Sequence, residues 1–247
     1  MCRTVRCACW CGRICHTQLH IKMAAYGGGL KCERRVDMRM EKPEWPEVFY
    51  INLDHRDDRR ESVLSELRKV GYPEHKIHRV DAVRKKNGAL GCGLSHIKAL
   101  REVRERGLEQ AIILEDDFVW REAPAVTRDT LSGALRGDWD VCLLSCHGEL
   151  AADTGQEALR GVKSCQTTSG YMVRPGGIEP LLEVFEETVN QPENEDTFEA
   201  SLIASNHIDQ RWKALQGGPG WRATAPLLGR QMDGYSDITQ QEESYMV

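Results

Sequence analysis

The order of apolar and polar residues predicts alternating strands and helices from residue 46 onward. Residues 48–53 form a short apolar run rich in β-branched and aromatic side chains, which is typical of a buried strand. Apolar residues then recur at helical spacing over residues 58–70, and Gly71 and Pro73 end that helix. Residues 76–83 follow as a second strand pattern. Strand, helix and strand in this order predict a βαβ unit in a parallel sheet.

The alternation continues through the rest of the chain. A glycine-rich turn is predicted at residues 88–93, followed by an amphipathic helix that Gly107 ends. Four apolar residues then lead directly into the triplet Glu115–Asp117. Further strands are predicted at 140–146 and 170–174, and mostly helical segments at 177–189 and 197–215. This order predicts a single α/β domain with the triplet at the carboxyl end of a strand, where open α/β sheets bind ligands.

Composition and charge narrow the class of protein. The 247 residues are 40% hydrophobic and 29% charged, which is ordinary for a globular chain long enough to bury a core. No apolar run reaches about 18 residues, so no transmembrane helix is expected. Residues 1–46 carry nine basic and four acidic side chains, whereas the remainder carries 24 basic and 34 acidic ones. An acidic body argues against nucleic acid as the main partner.

The cysteines divide into two groups. Six of the ten lie within the first 32 residues, at spacings that fit no paired zinc motif. Residues 1–45 are therefore predicted to be a basic, cysteine-rich, disordered tail, with metal binding as the alternative. The body has too few cysteines for a disulfide framework, and Cys142 and Cys146 are expected to be buried thiols. The first residues lack the apolar core of a signal peptide, which favours a cytoplasmic location.

The triplet Glu115–Asp117 is the strongest candidate site. Three adjacent carboxylates repel one another, and a divalent cation removes that penalty. Their hard oxygen ligands suit Mg²⁺ or Mn²⁺, which in turn can bridge the phosphates of a nucleotide. If the strand continues, Glu115 and Asp117 point to the same side. A solvated turn after the strand is the alternative, and the spacing alone does not choose between the two.

Several enzyme classes are excluded by missing motifs. The chain has no Walker loop, no G-x-G-x-x-G, no G-x-S-x-G elbow and no HExxH. A phosphatase with an aspartyl nucleophile needs Asp-x-Asp-x-Thr after its strand, but Phe118 and Val119 occupy that space. Elimination leaves a metal-assisted enzyme that acts on a nucleotide sugar or a phosphate.

Collinear segments across the chain resemble a known family. They read NLDHRDDRRE at 52–61, GALGCGLSHIKAL at 88–100, IILEDDF at 112–118, WDVCLLS at 139–145, TSGYMVRPGG at 168–177, HIDQRW at 207–212 and GYSDITQQE at 234–242. Together they resemble glycosyltransferase family 25, which includes bacterial lipooligosaccharide galactosyltransferases and collagen galactosyltransferases. The resemblance covers about residues 47–243, in the right order.

The resemblance implies a fold and an activity. It implies a GT-A type fold over residues 46–243, with a Rossmann-like mixed sheet flanked by helices. It also implies inverting transfer of a hexose, galactose in the named relatives, from a UDP-sugar to a hydroxyl of a glycan or protein-linked acceptor. Mn²⁺ or Mg²⁺ would serve as cofactor. The rival hypothesis is a non-catalytic binding protein that keeps the fold, and the intact triplet speaks against it.

The first motif and the triplet supply the candidate ligands of the donor and the metal. Glu115, Asp116 and Asp117 match the metal and nucleotide motif, with the first and third as metal ligands and Asp117 also as a catalytic candidate. Asn52, Arg56 and Arg60 match a motif near the uridine and phosphates, where a guanidinium can bind a diphosphate bidentately. The alternative is that Arg59 and Arg60 only pair with Asp57 and Asp58 on the helix surface.

Later motifs add four candidates. Ser95 and His96 match a Ser-His pair that would bind near the sugar or nucleotide, with a structural histidine as the alternative. Asp209 matches the acid of a Val-Asp element, which implies a general base or a contact to the donor sugar, whereas a helix cap is the alternative. Asp237 matches a Ser-Asp segment and is a candidate for a further metal or phosphate contact, with a flexible tail as the alternative.

Overall fold

A computed structural model describes residues 25–26, 29–30, 45–153, 155–236 and 241–243. The chain divides into two compact units, Met1–Lys42 and Pro43–Val247. In the first unit, strands β1 (Ala25–Tyr26) and β2 (Gly29–Leu30) form an antiparallel pair. Most of the predicted tail lies outside the described residues, so its disorder and its boundary at residue 45 stay predictions.

The second unit is built on a mixed eight-stranded sheet. In chain order the described strands of this unit are β3 (Glu47–Asn52), β4 (Ile77–Asp81), β5 (Ala111–Glu115), β6 (Phe118–Trp120), β7 (Val141–Leu143), β8 (His147–Asp153), β9 (Leu159–Gln166), β10 (Gly170–Val173), β11 (Trp221–Thr224), β12 (Gly229–Gln231), β13 (Gly234–Ser236) and β14 (Gln241–Glu243). The large sheet has the order β4-β3-β5-β10-β7-β11-β9-β8, while β6 pairs with β12 and β13 with β14. β3 runs parallel to β4 and β5, as the βαβ pattern predicted, whereas β10 is antiparallel to both of its neighbours.

Helices cover both faces of this sheet. They are α1 (Asp57–Lys69), α2 (Gly88–Glu105), α3 (Pro124–Arg136), α4 (Pro175–Val189), α5 (Phe198–Ser201) and α6 (Ile208–Arg211), with single 3₁₀ turns at Glu74–Lys76, Ala204–Asn206 and Trp212–Leu215. Across the described ranges, none of these helices combines the length and the apolar character needed to cross a membrane.

Alternation along the strands divides the core into two layers. Phe49 and Ile113 point to the face covered by α2 and α4, and they pack with residues of those helices. Tyr50 and Ile112 point to the opposite face and pack with residues of α1 and α3. Successive strand residues face opposite sides, so a continuous apolar strand is buried on both. The predicted α/β class, a mixed sheet flanked by helices, is confirmed.

The predicted glycine-rich turn at residues 88–93 is wrong, because helix α2 already begins at Gly88. The side chain of Asn87 caps the helix by accepting a hydrogen bond of 3.0 Å from the Leu90 N–H. A Cβ at Gly91 would lie 2.6 Å from the backbone oxygen of Val83, and one at Gly93 would lie 2.7 Å from a methyl carbon of Val189. The glycines therefore serve close packing of α2 against its neighbours.

We expect Gly91→Ala to destabilise the fold by about 1–3 kcal/mol, the usual cost of overpacking a closely packed site. The new methyl group would meet the Val83 backbone oxygen, which cannot move away as a flexible side chain would. Gly218→Ala is the matched control, since a Cβ there meets nothing within 4 Å. Urea unfolding of both variants measures the difference, and equal stabilities would contradict the packing argument.

One of the two cysteines expected to be buried thiols forms a disulfide bond instead. Cys142 is a free buried thiol, as expected, but Cys146 forms a disulfide bond with Cys165. The two cysteines are brought together by the antiparallel pairing of β8 with β9, in which Gly148 lies opposite Cys165. The hairpin of β8 and β9 was not predicted from the sequence, and without it nothing indicates a bond between cysteines that lie 19 residues apart.

We expect a proteolytic digest made without reductant to contain the peptides of Cys146 and Cys165 linked to each other. Reduction of the intact protein should lower its free energy of unfolding by about 3 kcal/mol, because the bond closes a loop of moderate length in the unfolded chain. Cys146→Ser should show the same loss without reductant, and Cys142→Ser should keep the linked peptides. Alkylation of both Cys146 and Cys165 in the folded, unreduced protein would contradict the pairing.

Candidate active site

A cavity of 770 Å³ opens where strands β3, β4 and β5 end. The carboxyl ends of these parallel strands meet at one edge of the sheet, which is where α/β folds place ligands. Helix α2 and the segment between β4 and α2 form further walls. The lining residues include Asn52, Arg59, Val83, Arg84, Lys85, Lys86, Gly91, Cys92, Ser95, His96, Glu115, Asp116, Asp117 and Gln231.

Glu115, the last residue of β5, faces helix α2. Its Oε1 accepts a hydrogen bond of 2.7 Å from the Thr168 hydroxyl and lies 3.4 Å from His96 Nε2. This orientation follows from strand alternation, because Ile113 two residues earlier packs on the same face. Burial raises the pKa of Glu115, but His96, Thr168 and Arg59 together hold it below its ordinary value.

Asp116 and Asp117 lie in a turn, because the strand ends at Glu115. The condition under which Glu115 and Asp117 would point to the same side, a strand that continues through the triplet, is therefore not met. Asp116 accepts hydrogen bonds from Asn52 Nδ2 at 2.8 Å and from Arg59 Nη1 at 3.3 Å. Asp117 Oδ2 accepts from Gln231 Nε2 at 3.0 Å and lies 3.4 Å from Arg59 Nη1. Its other oxygen, Oδ1, is buried and has no hydrogen-bond partner.

The electrostatics of the turn favour an additional positive charge. Burial raises the pKa of Asp116. Burial and the charge of Glu115 raise the pKa of Asp117 to about 7, although Arg59 acts in the opposite direction. A hard cation would stabilise the ionised form of Asp117 and would supply a partner for its buried Oδ1. The residues present therefore fit a Mg²⁺ or Mn²⁺ ion.

Of the neighbouring arginines, the structure brings Arg59 to the triplet. Arg56 forms a bidentate ion pair with Asp58 at 2.8 and 2.9 Å, and Arg60 lies 3.3 Å from Asp57. Neither Arg56 nor Arg60 is among the residues found to line the cavity. Consecutive residues of a helix point about 100° apart, so Arg59 and Arg60 cannot share a direction. Arg60 thus shows the surface pairing that was the alternative, whereas Arg59 contacts Asp116 and Asp117 instead. The ligand role of Arg56 and Arg60 stays a prediction.

Asn52 and Ser95 support the cavity walls. Asn52 is buried, and besides Asp116 its side chain contacts the Arg56 backbone oxygen at 3.0 Å and Arg79 Nε at 3.2 Å. Ser95 Oγ donates to the Gly91 backbone oxygen at 2.6 Å and accepts from the Val83 N–H at 2.8 Å. Asn52 therefore orients Asp116, and Ser95 joins α2 to the chain that follows β4.

Asp209 is connected to the triplet indirectly, through hydrogen bonds of Thr167 and Thr168. It lies in the first turn of α6, and its Oδ2 accepts a hydrogen bond of 2.9 Å from the Thr167 N–H. Thr167 has a φ of 80°, a conformation that is costly for a β-branched residue. The next residue, Thr168, donates to Glu115. Asp209 is not among the residues that line the cavity, and through Thr167 it supports the backbone that presents Thr168 to Glu115. Its predicted role as a general base or a contact to the donor sugar stays a prediction.

The predicted metal or phosphate contact of Asp237 lies outside the described residues.

Several side chains of the site were not predicted from the sequence. Arg84, Lys85 and Lys86 line the cavity, and their run of three positive charges was a visible signal that the sequence analysis did not use. Thr168 and Gln231 offered no comparable signal, since only folding brings them to the triplet.

The chain is similar to procollagen galactosyltransferases. It is 29% identical to procollagen galactosyltransferase 1-B of Xenopus laevis over 181 aligned residues, and 30% identical to procollagen galactosyltransferase 1 of Danio rerio over 178. Each match covers 58% of this chain but 29% of the relative, so the chain spans less than a third of their length. The resemblance to collagen galactosyltransferases that the motifs predicted is confirmed. No protein-family model matches the chain.

Solved structures show weaker similarity. Mannose-1-phosphate geranyltransferase from Thermus thermophilus gives a TM-score of 0.43 at 12% identity, covering 72% of each chain. A glycosyltransferase involved in glycosylation of the major capsid of PBCV-1 gives a TM-score of 0.38 at 9% identity, covering 60% of this chain and 68% of the other.

Proposed function

We propose that this chain is a metal-dependent glycosyltransferase that moves a hexose, galactose by similarity to its relatives, from a UDP-sugar to a hydroxyl of a glycan or protein-linked acceptor. Two findings support the proposal: the similarity to procollagen galactosyltransferases and the composition of the cavity. The main observation in its favour is the Asp117 carboxylate, which is buried in the cavity wall beside Arg59 and has one oxygen without a hydrogen-bond partner.

The donor would be bound by charge complementarity. Asp117 would hold Mn²⁺ or Mg²⁺, which supplies neutralisation of the departing diphosphate when bound. Glu115, two residues before it, lies against His96 of α2 instead. Arg59 lies against the triplet, and its guanidinium can donate two parallel hydrogen bonds to a phosphate group. The run Arg84–Lys86 adds positive charge on a second wall of the same cavity. These groups are of the type that bind a nucleoside diphosphate.

The transfer itself would be a single inverting displacement. The acceptor hydroxyl forms a bond to the anomeric carbon while the bond to the diphosphate oxygen breaks, and the electron pair leaves with UDP. A carboxylate of the site accepts the hydroxyl proton. Asp117 and Asp209 are the candidates that the family motifs supply for catalysis. Asp117 lines the cavity, whereas Asp209 would act through the Thr167 and Thr168 backbone that it holds.

The disulfide bond between Cys146 and Cys165 is informative about the compartment in which the protein resides. We propose an oxidising compartment for this protein in place of the cytoplasm, because structural disulfides persist in secretory and extracellular environments and are rare in the cytosol. Such a compartment would also suit a glycan or a secreted protein as acceptor.

A donor screen tests the proposed function without a known acceptor. The full chain is incubated with UDP-galactose, UDP-glucose and their N-acetylated analogues in Mn²⁺, Mg²⁺ or EDTA, and released UDP is measured. We expect slow hydrolysis of at least one UDP-sugar with Mn²⁺ or Mg²⁺ and none with EDTA. Metal-dependent binding of UDP without turnover of any donor would favour the non-catalytic alternative, and neither binding nor turnover would reject both.

A further inference from the structure

Three metal-ligating side chains meet on the α2 side of the cavity. Cys92 and His96 lie one helical turn apart, so their side chains project from the same face of α2. That face meets Glu115 at the end of β5. The cysteine sulfur, an imidazole nitrogen and a carboxylate oxygen of these three residues all lie within 4.8 Å of one another.

His96 is oriented as a metal ligand would be. Its side chain is fully buried, and its Nδ1 lies 3.1 Å from the hydroxyl of Tyr171. Its Nε2 is buried without a hydrogen-bond partner and lies 3.4 Å from Glu115 Oε1. A ligating histidine usually has its second nitrogen held by a fixed polar group, and Tyr171 provides that group here. The nitrogen that faces Glu115 therefore has no hydrogen bond to lose on binding a metal ion.

We propose that Cys92, His96 and Glu115 bind a zinc ion, at a site separate from the hard cation proposed at Asp117. Sulfur and nitrogen ligands select Zn²⁺ over Mg²⁺ and Mn²⁺, which prefer oxygen alone. In tetrahedral zinc sites, bonds of about 2.0–2.3 Å place the ligand atoms roughly 3.3–3.8 Å apart. The His96–Glu115 separation of 3.4 Å is in that range, and the Cys92 sulfur lies within 4.8 Å of both ligand atoms.

The surroundings of the cluster fit a zinc ion with one open position. The Thr168 hydroxyl donates to the same Glu115 oxygen and so restricts the orientation of the carboxylate. All three ligands also line the cavity, so the fourth coordination position would be filled by water or by a bound ligand. Binding deprotonates the Cys92 thiol and releases that proton to solvent. The ion would tie α2 to β5 beside the triplet.

The test uses the full-length chain with its six N-terminal cysteines replaced by serine, because those thiols would bind zinc as well. After removal of metal with a chelator, the protein is loaded with Zn²⁺ or Co²⁺ without reductant. Zinc per chain is measured by mass spectrometry, and cobalt binding by absorption. We expect one tightly bound zinc, a thiolate-to-cobalt charge-transfer band, and no displacement of zinc by excess Mn²⁺.

Matched variants identify the ligands. Cys92→Ser should lose the charge-transfer band and weaken zinc binding by at least 10–100-fold, the range seen when even an outer-shell partner is removed. Cys142→Ser removes the other free thiol of the described body and should change neither measurement. Glu115→Gln, with folding checked by circular dichroism, should also weaken zinc binding. A parent protein that binds no zinc, or a Cys92→Ser variant with unchanged zinc affinity and cobalt spectrum, would overturn the proposal. Neither result depends on sugar transfer, so the proposed function is tested separately.

Discussion

Asp117→Asn is expected to abolish the Mn²⁺-dependent binding of UDP. The substitution keeps the size of the side chain but removes the charge that would hold the metal, and the buried Oδ1 loses its role as a ligand. Without the metal, the diphosphate would face the negative charges of Glu115 and Asp116, and Arg59 would be the guanidinium that opposes them. Isothermal titration of UDP into the full chain, with and without Mn²⁺, measures the effect.

Asp209→Asn is the matched control for charge removal. We expect UDP and Mn²⁺ affinities close to those of the parent protein, because Asp209 does not line the cavity and its replacement amide oxygen can still accept the Thr167 N–H. Transfer should also stay near normal if Asp209 only positions the backbone. A fall in transfer by a factor on the order of 10² to 10⁴ would instead restore the general-base role. An Asp117→Asn protein that binds UDP with Mn²⁺ as tightly as the parent would contradict the metal assignment.

Arg59→Ala is expected to weaken UDP binding by about 10–100-fold, the loss that accompanies removal of a hydrogen-bonding partner from a charged group. It should also destabilise the free protein, since Asp116 and Asp117 would remain buried without their guanidinium partner. Arg60→Ala makes the same substitution one position later on the same helix. Calorimetry with UDP and urea unfolding, applied to both variants, separate the two arginines.

For Arg60→Ala we expect UDP affinity within about twofold of the parent and little change in stability, because exposed ion pairs such as that with Asp57 contribute up to about 1 kcal/mol. A difference in stability between the two variants cannot come from helix propensity, since both substitutions place alanine in α1. If Arg60→Ala lost UDP affinity and Arg59→Ala kept it, the first-motif arginine predicted from the family would be the ligand after all.

Sequence periodicity predicted the part of the fold that surrounds the triplet. Strands β3 to β5 and helix α1 were predicted within a few residues, because each buries a continuous or regularly spaced apolar surface. The position of Glu115 at a strand end followed from the apolar run before it. These local patterns were enough to place the acidic residues at the ligand-binding edge of the sheet.

Features that depend on contacts between distant segments were not predicted. Which of two adjacent arginines faces the triplet depends on where α1 begins, and a shift of one residue rotates each side chain by about 100°. The disulfide needed the β8–β9 hairpin, which has no strong alternation. Residues 197–215 were predicted to be mostly helical but form several short helical turns. Within this segment the Asn206 side chain donates hydrogen bonds to the backbone oxygens of Glu193 and Ala200, contacts that only folding reveals.

Metal-dependent sugar transfer at the triplet can be tested by measuring the release of UDP from UDP-galactose by the full chain and its Asp117→Asn variant, each in Mn²⁺ and in EDTA. We expect release by the parent chain with Mn²⁺, a loss of that release with EDTA, and no release above background by Asp117→Asn in either condition. Release that is equal in the two proteins, or unaffected by EDTA, would contradict a metal-dependent glycosyltransferase site built on this triplet.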